Sequence, residues 1–146
     1  MKTYVLDTSA LLALRDEEPG ADRVAELFGL AQASKCVCLG SFISLMELMY
    51  RVWRDDGEAL AQLAYDQCLA LPMTWIHESP ELLKAAAAIK AKHRLSLADA
   101  WIAATAELNR ATLVHKDPEF APMAVSQEVL PLKAAKPKKA ISSRRQ

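Results

Sequence analysis

Short apolar runs alternate along the chain with longer segments whose apolar residues recur at helical spacing. Residues 3–6 (Thr-Tyr-Val-Leu) are apolar and partly β-branched, which predicts a buried strand ending at Asp7. Residues 8–14 then take a helical pattern with Asp7, Thr8 or Ser9 available as the cap, and Pro19-Gly20 breaks the chain. Val24, Leu27, Phe28 and Ala31 lie on one stripe of a helix predicted over 21–33. A second strand is expected at 36–39. A helix over 44–53 follows, opened by Ser44 with Glu47 three residues on as a capping box. Asp56-Gly57 ends that helix, and another is expected over 58–71. A third strand is expected at 74–77. Ser79-Pro80 opens a helix running to about His93, and the fourth strand is expected at 112–115. A one-turn helix near 119–123 and a short strand at 129–132 complete the pattern.

The stretch 96–109 differs from the other helices. It is rich in strong helix formers and apolar on nearly every side, so it is expected to be buried on both sides, with Trp101 and Ile102 in the core. Ser96 is its expected N-cap, and Asp99, at the third helical position, can complete a capping box. Asp99 is also the only charge between Arg94 and Glu107. Strands alternating with helices imply an α/β fold with a short parallel central sheet of four to five strands, flanked by helices on both faces. No internal repeat is visible, and one domain over 1–132 accounts for the pattern.

Charge changes the picture at the end of the chain. The formal net charge is zero, from 18 Lys and Arg against 18 Asp and Glu. Six of the cations (Lys133, Lys136, Lys138, Lys139, Arg144 and Arg145) lie in 133–146, which has no acid and no apolar pattern. That segment is expected to be a disordered basic tail. It leaves 12 cations against the 18 acids of the body, about −6, which is not the balance of a protein that grips nucleic acid by bulk charge. Cys36, Cys38 and Cys68 are odd in number and lack CxxC spacing; Cys36 and Cys38 share one face of the expected strand and fit small core residues, in a reduced, cytoplasmic setting. The amino terminus meets Asp7 too soon for a signal peptide, and no uncharged run approaches a membrane span, so no membrane association is expected.

In a parallel α/β sheet, ligands bind at the carboxyl ends of the strands. Asp7 ends the first strand, Asp117 lies just past the fourth, and Glu47 opens the helix after the second. Asp99 joins them only if the connection before its helix has already crossed the fold. Two carboxylates about 5 Å apart repel by roughly 3 kcal/mol at an effective dielectric of 20. Several such pairs would consume much of the roughly 5–15 kcal/mol that stabilises a domain, so a four-acid cluster needs a cation or retained protons. Oxygen-only ligands suit Mg²⁺ or Mn²⁺ rather than zinc. His77, His93 and His115 are scattered and fit surface or strand-end positions better than a ligand set.

Val5–Leu12, Ser44–Leu48, Leu97–Ala104 and Leu113–Phe120 resemble, in order and spacing, the four motifs of the PIN domain, and most closely those of the VapC toxins of bacterial toxin–antitoxin pairs. The resemblance spans 1–132. Where the family usually has Thr or Ser two residues before its last acid, this chain has His115. The resemblance implies an endoribonuclease using Mg²⁺ or Mn²⁺, a homodimer, and silencing by a cognate antitoxin protein that occludes the site. It places Asp7, Glu47, Asp99 and Asp117 in the catalytic set. Asp7 and Asp99 are expected as direct ligands, Asp117 as a ligand or a holder of coordinated water, and Glu47 as the group that orients water or a second cation. Thr8, Ser9 and Arg15 are supporting candidates: Ser9 toward Asp7 or a phosphate, or as a plain cap, and Arg15 toward a phosphate or as a solvated helix end. A haloacid-dehalogenase-type phosphatase needs a second Asp where Ser9 stands. A response-regulator receiver needs adjacent acids where Thr8 follows Asp7. The remaining rival is a non-catalytic scaffold or RNA-binding module of the same fold, which would not need all four acids.

Overall fold

A computed structural model describes residues 1–132; the expected basic tail, 133–146, lies outside the described residues. The first strand, β1 (Thr3–Leu6), leads into α1 (Thr8–Arg15) and α2 (Ala21–Gln32). Next come β2 (Val37–Ser41), α3 (Phe42–Asp56), α4 (Glu58–Leu69) and β3 (Thr74–Ile76). The chain then runs through α5 (Pro80–Lys92), α6 (Leu97–Leu108) and β4 (Thr112–His115), and after a 3₁₀ turn at Pro118–Phe120 it ends in β5 (Gln127–Val129).

All pairings are parallel and the sheet order is β3-β2-β1-β4-β5. Because side chains alternate across each strand, Tyr4, Leu6, Cys38 and Val114 face the helices α1–α4, while Val5, Leu39 and Leu113 face α5 and α6. Both faces are thus covered, as the near-continuous apolar strands require. The chain winds from β1 outward to β3, then crosses to the other side of β1 for β4 and β5. That reversal makes the carboxyl edge of β1 and its neighbours the topological switch point.

The helix α6 is placed by its exit. Only residues 109–111 separate it from β4, which runs parallel to β1, so α6 runs against the strands and its amino end stands at their carboxyl edge. Its expected N-cap is formed: the Asp99 N–H donates to Ser96 Oγ at 3.1 Å. Ile102, Ala103, Ala104 and Ala106 are fully buried, and the buried Thr105 hydroxyl is satisfied by donating to the Trp101 carbonyl at 2.8 Å.

Several expectations are corrected. Trp101 is half-buried rather than in the core, because it turns to the helix flank and packs edge-on against Phe42 with ring centroids 5.2 Å apart. α3 opens at Phe42, not at Ser44: β2 runs on to Ser41, whose hydroxyl caps the helix by accepting from the Ile43 N–H at 3.4 Å. Ser44 therefore lies inside the helix and the Ser44–Glu47 capping box does not form, which frees Glu47 for other partners. β5 sits at 127–129 instead of 129–132: Gln127, Glu128 and Val129 are the residues that pair with Leu113, Val114 and His115, and Pro131 has no N–H with which to extend the ladder. Gly40 marks the close approach of β3 to β2, where a Cβ would lie 2.5 Å from the Trp75 ring.

Candidate metal centre

Asp7 leaves β1 with its N–H donating to the Val114 carbonyl at 3.1 Å, so its backbone is tied to β4. Its carboxylate caps α1, accepting from the Ala10 N–H at 3.1 Å and from the Ser9 hydroxyl at 2.5 Å. Ser9 Oγ in turn accepts the Lys116 N–H at 3.0 Å. One hydroxyl thus stitches the β1–α1 turn to the turn after β4 that carries Asp117. Thr8 does comparable work for Glu47: its Oγ1 lies 2.6 Å from Glu47 Oε1 and 3.0 Å from the buried Ser44 Oγ. The single Thr8 proton is best directed at the carboxylate, where a charge-assisted bond is strongest.

Carboxylate oxygens of Asp99, Asp117 and Glu119 come within 4.8 Å of one another at the amino end of α6 and the start of the 3₁₀ turn. Asp117 caps that turn by accepting from the Glu119 N–H at 2.9 Å. The Asp117 N–H donates to His115 Nδ1 at 3.0 Å. Glu119 is absent from the acids expected on sequence grounds. A signal for it exists in the chain, because an Asp followed by Pro starts a turn in which the Asp side chain bonds the backbone two residues on, and that residue is Glu119.

Electrostatics ties Asp7 and Glu47 to this group. Burial pushes the Asp7 carboxyl up to about 7 from an ordinary value of 3.8. Its bonds to Ser9 and Ala10 act against that shift, and the charges of Asp99 and Asp117 add to it. Burial likewise raises Asp99 to about 7, helped by the charges of Asp117, Glu47 and Glu119. The two most buried acids are therefore half-protonated near neutral pH unless positive charge is supplied. An oxygen-only donor set that repels itself fits a hard divalent cation.

These shifts fix the sign of a pH effect. Both acids hold their protons more tightly in the folded protein than in the unfolded chain. Their contribution to stability is therefore fully present below pH 4 and is lost as pH rises from about 4 through about 7. With divalent cations chelated, the melting temperature should fall by about 5 °C between pH 5.5 and pH 8, the equivalent of about 2 kcal/mol. Scanning calorimetry of wild type and Asp7→Asn checks this. The fall should be smaller in the variant, and equal pH profiles would mean that Asp7 is not strained by burial.

Arg15 stands apart from the acids. It pairs with Asp16 at 2.8 Å and Asp56 at 3.2 Å, in a cleft of about 440 Å³ that Ser9 and Lys116 also line. Of the seven residues expected at the site, the structure brings Asp7, Glu47, Asp99 and Asp117 together electrostatically. It attaches Thr8 and Ser9 to them by hydrogen bonds and leaves Arg15 on the neighbouring cleft wall.

The family model described as PIN domain matches residues 4–125. Among solved structures, VapBC2 from Rickettsia felis bound to a fragment of promoter DNA is similar, with a TM-score of 0.72 at 21% identity, over 88% of this chain and 99% of that one. DNA-bound VapBC from Salmonella typhimurium gives 0.71 at 18% identity, over 88% and 98%. VapC20 of Mycobacterium tuberculosis, a toxin that cleaves the sarcin–ricin loop, gives 0.69 at 22% identity, over 88% and 99%. At such identities the likeness shows the shared fold. No curated protein matches the chain in sequence.

Proposed function

The chain belongs to the PIN-domain family, and on that premise we propose that it is an endoribonuclease dependent on Mg²⁺ or Mn²⁺, the toxin of a toxin–antitoxin pair. The observation that supports this reading is the group Asp99, Asp117 and Glu119, whose carboxylate oxygens lie within 4.8 Å of one another at the switch point, with the charges of Asp7 and Glu47 acting on the same group and the Asp7 and Asp99 carboxyls raised to about 7, chiefly by burial. A scaffold without chemistry would be more stable with those acids replaced.

Asp7, Asp99 and Asp117 would hold the cation, with Glu119 within reach of the same position. A bound cation supplies Lewis acidity, polarising the phosphodiester and lowering the pKa of the attacking water. Ser9 keeps Asp7 Oδ1 fixed and ties it to the Asp117 turn, so the acids hold their spacing. Thr8 occupies one oxygen of Glu47 and leaves the other free to accept a hydrogen bond from the attacking water and aim it at phosphorus.

Residues 1–132 constitute the nuclease unit of this reading, which works in the cytoplasm. The buried free cysteines suit a reducing compartment, and among the described residues no helix is long and apolar enough to cross a membrane. Two apolar faces support protein partners, a cognate antitoxin and a second copy of the chain. One carries Met46, Tyr50 and Trp53 of α3 beside Leu60 and Leu63 of α4; the other is a groove between α5 and α6 lined by Leu83, Leu97 and Trp101. The similar structures from Rickettsia felis and Salmonella typhimurium are VapBC assemblies, which supports the antitoxin.

The test is direct. Chelator-treated protein should cut a panel of structured RNAs only when Mg²⁺ or Mn²⁺ is restored, and Mn²⁺ should raise the melting temperature of wild type more than that of Asp7→Asn. Cleavage that survives chelation, or equal thermal shifts in the two proteins, would remove the acids from cation binding.

A further inference from the structure

His115 is a histidine at the carboxyl end of β4, 1% exposed and in contact with the Phe120 ring at a centroid distance of 4.9 Å. A buried imidazole is costly unless both nitrogens are satisfied, and here both are. Nδ1 lies 3.0 Å from the Asp117 backbone nitrogen, which can only donate, so Nδ1 is the bare acceptor and Nε2 carries the proton. Nε2 lies 2.8 Å from Gln127 Oε1 on β5. The orientation of that amide follows from its other end: Gln127 Nε2 donates to the Phe120 carbonyl at 2.8 Å and the Met123 carbonyl at 3.1 Å, so its oxygen must face the ring.

We infer that His115 and Gln127 are positioning residues, a clamp that sets the Asp117–Glu119 turn for cation binding. The inference rests on reading the acidic cluster as a cation site. The clamp runs from the β5 amide to the imidazole, from the imidazole to the Asp117 N–H, and from the Asp117 carboxylate to the Glu119 N–H at 2.9 Å. The Leu130 N–H, donating to the His115 carbonyl at 2.8 Å, ties the same strand ends together. Phe120 keeps the imidazole in a dry pocket, where hydrogen bonds orient most firmly. The edge strand β5, which carries none of the cluster acids, thereby determines where two of them point.

Calorimetric titration of the chelator-treated full chain with Mn²⁺ tests this, with melting temperature recorded beside it. His115→Leu keeps the packing but removes the acceptor, and should weaken Mn²⁺ binding at least about tenfold, the usual scale for groups that orient metal ligands. His115→Asn, whose side-chain oxygen can stand where Nδ1 stands, should remain within about threefold of wild type. Gln127→Leu, which leaves the ring unanchored, should fall between the two and decides the matter if His115→Leu does not fold. Leucine variants that melt lower yet bind Mn²⁺ like wild type would make the clamp purely structural and overturn the inference. So would an Asn variant no better than Leu. A wild type that binds no Mn²⁺ is a different result, overturning the cation reading on which the inference stands.

Discussion

Replacing Asp99 with Asn should lower single-turnover RNA cleavage in Mn²⁺ by at least about a thousandfold, or about 4 kcal/mol of barrier, while the protein stays folded. The fold should survive because the backbone part of the helix cap is untouched and asparagine keeps an oxygen where the carboxylate meets the Ser96 hydroxyl. The Asp99 N–H donates to Ser96, and that bond is indifferent to the side chain. The charge is what would be lost. Asp99 shares its corner with Asp117 and Glu119, and an amide there offers a neutral oxygen to a cation that needs anionic ones. Burial already raises the Asp99 carboxyl to about 7, so the uncharged variant should also melt higher than wild type once cations are chelated. Near-normal cleavage by Asp99→Asn would reduce the residue to its place in the helix cap.

The second large effect is on folding. Ile102 is wholly buried on α6, in the core that the helix shares with Val5 and Leu113. Ile102→Asp would place a carboxylate there with neither water nor a cation, at a cost of several kcal/mol beyond the lost packing. A domain of this size has about 5–15 kcal/mol in hand. The variant should therefore be insoluble or show no cooperative melting transition. A soluble Ile102→Asp protein with a sharp melt would mean that α6 is not the core helix.

What could be read from the chain was what neighbouring residues decide. The short apolar runs at 3–6 and 112–115 and the helical spacing at 21–33 come from contacts within a few residues. Those elements appear close to where the pattern puts them, as β1, β4 and α2. The cap at Ser96 was legible for the same reason, being a bond across three residues. Local chemistry also misled: Ser44 and Glu47 have capping-box spacing, but pairing with β3 carries β2 to Ser41 and moves the helix start upstream. Asp7, Glu47, Asp99 and Asp117 could be named as a set from their motifs, but not assembled.

Assembly needed the crossover. Thr8 meets Glu47 across 39 residues and Ser9 meets Lys116 across 107, and no periodicity encodes such contacts. They exist because β1 is central, β4 pairs with it in register, and α6 must run back along the sheet to reach β4. The same geometry brought Glu119 to Asp99 and closed Gln127 on His115. The chain by itself determined which residues could carry a negative, cation-seeking centre, since residue type and local pattern are written in order. Which of them share a site, and which groups hold them there, was decided by the tertiary structure, because burial and charge act through space.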